Sequence, residues 1–288
     1  RDNAPSVDPS ATGADLALYL MGSQGYLTLV PDYLGFGDSA GLHPFVHAKT
    51  LAWAVIDLIR ASRSLALAAG YPLNGQLFLV GYSEGGYATM AAQREIETHH
   101  REELAITASA PMAGPYDLSG TMLELALSGT EVPNPMYFPY VLVSYNQIYG
   151  FEDDPVDLLA PEYGDRVALL FDGEYDRGTI NQALPPVPLE VIEPGLAAVL
   201  LSGDYHPLVG ALQNNDVYRW TPESPTRLYH CLDDDQVPYA NATVAQDWFS
   251  AAGAEVELVT LFFGDHSACA VPALLGAKRW FDSLAILP

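Results

Sequence analysis

The chain has 288 residues, nearly half of them hydrophobic, which suits one large α/β domain with an insertion, or two domains. Its net charge is −24 and its only lysines are Lys49 and Lys278, so there is no cation cluster of the kind that binds phosphate, and a nucleic-acid partner is excluded. The same balance gives a strongly solvated surface, as in salt-adapted proteins or as ordinary acidic solubility, whose self-repulsion salt relieves. No apolar run approaches the roughly 18 residues of a membrane-spanning helix. The chain opens Arg1-Asp2-Asn3 with no visible signal peptide, and an upstream part is expected to have been removed.

Residues 1–12 are polar, contain Pro5 and Pro9, and read as a loop. Thr12–Met21 is predicted as a short helix ending near Gly22. Tyr26–Val30 combines apolar and β-forming residues and reads as a buried strand. Asp32-Tyr33-Leu34-Gly35-Phe36-Gly37 then follows its C-terminal end, the edge where open α/β sheets bind ligands. Leu51, Val55, Leu58, Ile59 and Leu65 recur at helical spacing and predict a long helix from Phe45 to Ala69, closed by Gly70. Gln76–Val80 is the next strand, Gly86–Glu97 the next helix and Leu104–Pro111 the strand after that. This alternation argues for a parallel sheet with right-handed crossovers.

Residues 116–225 break the rhythm. They are rich in Pro, Tyr and Leu, with helical pieces at Ser119–Leu127, Tyr137–Tyr149, Pro155–Leu159 and Ile192–Leu201. They are expected to form an inserted, mainly helical cap over the ligand edge rather than a second independent domain. The sheet resumes with the strand Thr226–His230, the helix Asn241–Ala252, the strand Val256–Phe263 and the helix Val271–Leu284. The expected organisation is a core from 1–115 and 226–288, with the cap at 116–225.

Between the strand and the helix around residue 83 stands Gly81-Tyr82-Ser83-Glu84-Gly85-Gly86. Strand, G-x-S-x-G, helix is the nucleophile-elbow pattern. A serine on so tight a turn brings the residues on either side of it together, and Gly81 and Gly85 have no Cβ to collide. The turn lifts the Ser83 hydroxyl clear of the sheet and sets free helical N–H groups beneath any negative charge that develops there. A serine hydroxyl needs a base, and the base needs an acid to fix its tautomer; in elbow proteins the chain order is Ser, acid, His. His266 follows the last strand immediately and has the required placement. His43, His47, His99 and His100 precede any plausible acid, His206 lies in the cap, and His230 sits at a strand end. After the strand Thr226–His230 stand Asp233, Asp234 and Asp235, which chemistry alone does not separate.

The segment His230-Cys231-Leu232-Asp233-Asp234-Asp235-Gln236-Val237-Pro238 resembles the H-G-x-x-D-x-x-V-P stretch that carries the acid in many α/β-hydrolases. In that register Asp234 is the acid, Asp235 the alternative, and Cys231 stands in place of glycine. Together with the loop from Asp32, the elbow, the large cap and Asp265-His266, nearly the whole chain resembles the secretory lipase family of α/β-hydrolases and its bacterial esterase relatives. The resemblance implies a mostly parallel sheet flanked by helices, with the cap inserted before the acid-bearing strand. It implies a serine carboxylesterase or lipase acting through an acyl-enzyme on a small ester substrate, with Ser83, Asp234 and His266 as the triad.

The Glu84 backbone N–H is the expected oxyanion donor; the Glu84 side chain is read as a structural hydrogen bond beneath the cap or as a substrate contact. The family's second donor and a central sheet strand have no counterpart here, so an N-terminal segment or separate chain upstream of Arg1 is expected to supply them, with Tyr33 the weaker candidate donor. If the acid and base loops meet, Cys231 and Cys269 either bridge, which suits a secreted or periplasmic protein, or remain two buried thiols.

Met136, Tyr137, Phe138, Tyr140 and Tyr145 are read either as the lining of an apolar pocket or as cap core. No cofactor or metal signature is present; the run Asp233–Asp235 lacks the spaced ligands of a calcium site. Two other readings stand: a prolyl-oligopeptidase-type peptidase, suggested by the residues after Ser83 but lacking any propeller repeat, and a non-catalytic binding module on a hydrolase fold. Oligomeric state is not legible.

Overall fold

The computed structural model describes residues 4–10 and 14–286. Four strands form one parallel sheet in the order β1 (Phe78–Tyr82), β2 (Ala108–Met112), β3 (Thr226–Cys231) and β4 (Val256–Leu261). Along the chain the helices are α1 (Ala14–Gly22), α2 (Ala48–Ala69), α3 (Glu84–Glu95), α4 (Leu123–Leu127), α5 (Tyr137–Tyr149), α6 (Gly164–Leu170), α7 (Arg177–Gln182), α8 (Pro194–Ser202), α9 (Pro207–Asn214), α10 (Ala240–Ala251) and α11 (His266–Leu284). The predicted helix start at Thr12 lies outside the described residues. No helix among those described is long and apolar enough to cross a membrane.

The sheet is covered on both faces, as a parallel sheet must be. On one side Met21 of α1 and Ala273, Leu274, Ala277 and Phe281 of α11 pack on Ala108, Ala110, Met112 and Tyr229. On the other, Ile56 and Ile59 of α2 close over Leu79, Ile96 and Leu104. The strand β2 is buried at every position, so burial does not alternate along it. Within 116–225 the described backbone contains no strand of the sheet, only an isolated bridge between Leu159 and Ile192. That region is not a separate core: Leu142, Tyr145, Leu158, Val191 and Leu208 join Tyr87 and Met90 of α3 and Leu51 of α2 in one apolar cluster.

The predicted strand Tyr26–Val30 is not formed. A strand needs a ladder partner, and among the described residues β1, on whose Phe78 the Tyr26 ring packs at 5.7 Å, pairs only with β2. Ser83 N–H donates to Met112 O, so alternation along β1 turns the N–H and C=O groups of Phe78, Val80 and Tyr82 to the open side.

Candidate active site

The strand β1 ends at Tyr82 and α3 starts at Glu84, which leaves Ser83 alone on the turn with φ 58° and ψ −123°. A non-glycine residue held there costs of order 1–3 kcal/mol and persists only where the surroundings over-determine it. They do so through close backbone approach. A Cβ on Gly81 would lie 2.1 Å from Gly85 O, and one on Gly86 2.2 Å from Met112 O. Gly85 differs from expectation: a Cβ there meets nothing within 4 Å, because that side of the turn faces a cavity. The steric demand therefore falls on Gly81 and Gly86.

The helix α11 begins at His266, earlier than the expected Val271. Asp265 Oδ1 accepts the Ala268 N–H at 2.8 Å and starts the helix there, with Pro272 taken up inside it. His266 is thereby fixed on the first turn, its carbonyl accepting from the Tyr82 hydroxyl at 2.5 Å. Its Nε2 lies 2.9 Å from Ser83 Oγ and its Nδ1 2.7 Å from Asp234 Oδ2. The three consecutive aspartates divide. Asp233 is exposed, Asp234 has a fully buried side chain, and Asp235 Oδ1 accepts the His266 backbone N–H at 3.1 Å. Asp234 Oδ1 accepts from the N–H groups of Gln236 (3.0 Å) and Val237 (2.8 Å), and its Oδ2 is 3.3 Å from His230 Nε2. Burial alone would raise the Asp234 pKa; hydrogen bonds from His230 and His266, the His266 charge and the Val237 amide outweigh it and hold the carboxyl far below the usual carboxylate range.

Cys231 and Cys269 are joined by a disulfide with Cα atoms 6.0 Å apart. It ties the end of β3, just before Asp234, to the first turns of α11, just after His266.

On the other side of Ser83, the Glu84 side chain makes an internal contact. Its Oε1 lies 2.7 Å from His43 Nε2 and 3.3 Å from the Val46 N. His43 Nδ1 is 2.8 Å from Leu34 O, and its ring stacks on Phe36 at 4.3 Å and Tyr33 at 5.9 Å. Val46 is β-branched yet has φ 46°, and its carbonyl is held by the Tyr145 hydroxyl at 2.9 Å. Sequence order had set His43 aside because it precedes any acid position. The available signal was Glu84 itself, a carboxylate beside the elbow in a chain with few cations to meet it.

A cavity of about 1340 Å³ opens at Ser83 and Glu84. Its lining includes Tyr137, Phe138, Val141 and Arg177, and also Leu27–Pro31, β1, Leu274 and Phe281. Of the five aromatic or thioether residues expected in a pocket or cap core, Tyr137 and Phe138 line the cavity. Met136 and Tyr145 are buried in the core, and Tyr140 is stacked between Phe45 (5.0 Å) and Phe171 (4.6 Å).

The secretory lipase family matches residues 4–122. Among solved structures, the rice cell wall degrading esterase LipA from Xanthomonas oryzae shares 32% identity with a TM-score of 0.83, over 94% of this chain and 74% of that one. A putative hydrolase from Legionella pneumophila shares 29% identity with a TM-score of 0.85, over 94% and 75%. Candida antarctica lipase A in its closed state, at 19% identity, TM-score 0.67 and 85% and 57% coverage, shares the fold. A comparison with curated proteins finds no match.

Proposed function

Since the chain belongs to the secretory lipase family of α/β-hydrolases and is a carboxylic ester hydrolase, we propose that it cleaves esters through a Ser83–His266–Asp234 triad and an acyl-enzyme. The observation that carries this reading is the chain of contacts at 2.9 and 2.7 Å from Ser83 Oγ through His266 to Asp234. Ser83 attacks the ester carbonyl carbon while His266 Nε2 takes its proton. The imidazolium is stabilised by Asp234 and then protonates the departing alcohol. A water, deprotonated by the same nitrogen, attacks the acyl-enzyme and releases the acid. The Glu84 N–H, at the start of α3, donates to the oxyanion. Residues 116–225 act as a cap, with Tyr137 and Phe138 against the substrate.

The free edge of β1 and the cavity that it lines support a further part of the proposal. A polypeptide segment outside residues 1–288 adds there as a strand and brings the second oxyanion donor. Family and disulfide together fit a secreted or periplasmic enzyme.

The test is hydrolysis of p-nitrophenyl esters from acetate to palmitate and labelling by a fluorophosphonate, with Ser83→Ala as control, on this chain and on one extended at its N-terminus. Hydrolysis and labelling lost in Ser83→Ala, with higher turnover in the extended chain, are expected. Labelling with peptide but no ester turnover moves the reading to a peptidase; no labelling in either chain makes it a binding module.

A further inference from the structure

Glu84 sets an electrostatic problem. Its backbone N–H is the proposed oxyanion donor, and its side chain is a carboxylate on the same residue. A negative charge there opposes the negative charge that develops on the carbonyl oxygen, and the opposition is the stronger the less water screens it. The His43 side chain, 2% exposed, is the group that meets it.

The ring's two contacts decide its protonation. Leu34 O, at 2.8 Å, carries no hydrogen, so Nδ1 donates to it; the Glu84 carboxylate, at 2.7 Å, accepts, so Nε2 donates too. A neutral imidazole has one N–H, and this site uses two. The surroundings suit a cation: Phe36 lies flat against the ring, with Tyr33, Phe45 and Tyr140 around it at 5.9, 6.4 and 6.3 Å.

We propose that His43 is a positioning residue that works as an imidazolium, cancelling the Glu84 carboxylate and holding the first turn of α3 so that the Glu84 N–H receives the oxyanion. This rests on the triad reading above and adds a residue to it.

Burial disfavours the cation, but the Glu84 charge, the hydrogen bond to it and the Leu34 carbonyl outweigh burial, and the His43 pKa stands above the ordinary value. The other titratable groups facing the ring are Tyr33 and Tyr140, whose phenols burial pushes well up, so they stay neutral. The histidine half of the pair is thus charged below about pH 6.5, the ordinary histidine value, and its charge is lost as pH rises through the raised His43 pKa. Turnover should carry an alkaline limb that belongs to His43.

The direct test is the ring nitrogen spectrum of ¹⁵N-histidine-labelled wild type, with His43 assigned from its absence in His43→Gln. At pH 7.5, where an ordinary histidine is about nine-tenths neutral, both His43 ring nitrogens should be protonated. A single protonated nitrogen, with the other proton on Glu84, overturns the inference. In kinetics, His43→Gln should lower kcat about 10- to 100-fold with KM within about threefold, and lose the alkaline limb. The double variant His43→Gln/Glu84→Gln should recover at least half of that loss on a logarithmic scale, because no unpaired charge is left. If His43→Gln keeps wild-type kcat, or the double variant is no better than the single, the inference fails. Should His43→Gln not fold, His43 is assigned through its backbone resonances instead, and the wild-type spectrum still decides. Fluorophosphonate labelling of wild-type Ser83 separates this failure from failure of the triad reading.

Discussion

Two histidine–carboxylate pairs flank Ser83, and they are built to opposite ends. On the elbow side both His43 nitrogens meet acceptors, so the ring holds two protons and the Glu84 charge is cancelled. On the acid side His230 Nε2 donates to Val237 O at 2.9 Å and lies 3.3 Å from Asp234 Oδ2, but its Nδ1 is buried without a partner among the described residues. A proton on that nitrogen would be an unsatisfied buried donor, which costs about 1–3 kcal/mol beyond the charge itself. His230 therefore reaches Val237 and Asp234 through one nitrogen alone. It orients Asp234 without spending the carboxylate's charge, which remains for the imidazolium that His266 becomes. The number of acceptors around each ring, rather than the residue pair, decides whether a negative charge is cancelled or kept.

The sharpest way to break this comparison is the same change on both carboxylates. Asp234→Asn keeps the shape and removes the charge that fixes the His266 tautomer, and kcat should fall about 10³- to 10⁴-fold. Glu84→Gln removes a charge that is already neutralised, and kcat should fall about tenfold or less. Equal losses in steady-state assays at pH 7 would mean that the two carboxylates do similar work.

Next in size is the covalent difference. The acid side carries the Cys231–Cys269 bridge, closing a loop with a sequence separation of 38, while the elbow side is held by an ion pair and packing. Closing such a loop restricts the unfolded chain by about 4 kcal/mol in the chain-entropy account. The Cys231→Ala/Cys269→Ala variant should lose about 3–4 kcal/mol in urea unfolding, and reductant should have no further effect on it. Loss of kcat without loss of stability would instead make the bridge an aligner of the acid and base loops.

The elbow and the acid side were legible in the sequence, and His43 as the partner of Glu84 was not, for a physical reason. The register after β3 is implied by the resemblance to the acid-bearing segment of α/β-hydrolases, the position of His266 after the last strand follows from chain order, and local geometry brings them together. His43 reaches Glu84 through a strained loop at Val46, and no periodicity encodes that approach. The same limit applies to Tyr26–Val30, whose composition favours a strand but whose state depends on a ladder partner not found among the described residues. Short helices such as α6, α7 and α9 are not legible because their apolar residues serve one shared core, and six to eight residues give too little period to read. Gly85 shows the converse: a motif position can be glycine although the turn does not require it, with open cavity beyond.

The mildest lever separates the surface from both pairs. With a net charge of −24 the exposed carboxylates repel one another, and raising NaCl from about 0.1 to 1 M shortens the screening length from about 10 to 3 Å. Relief of that repulsion should raise Tm by a few degrees, at roughly 2–4 °C per kcal/mol for a chain of this order of size. His43 has a 2% exposed side chain, and its proton is fixed by contacts at 2.7 and 2.8 Å that intervening ions cannot enter. The alkaline limb of kcat should therefore keep its position while Tm climbs, in paired melting and pH–rate series at both salt concentrations. A limb that moves to lower pH with salt would place the His43–Glu84 charge within reach of solvent ions. Glu84 would then be screened by water in the cavity rather than cancelled by a histidine, and the contrast between the two sides of Ser83 would reduce to their hydrogen bonds.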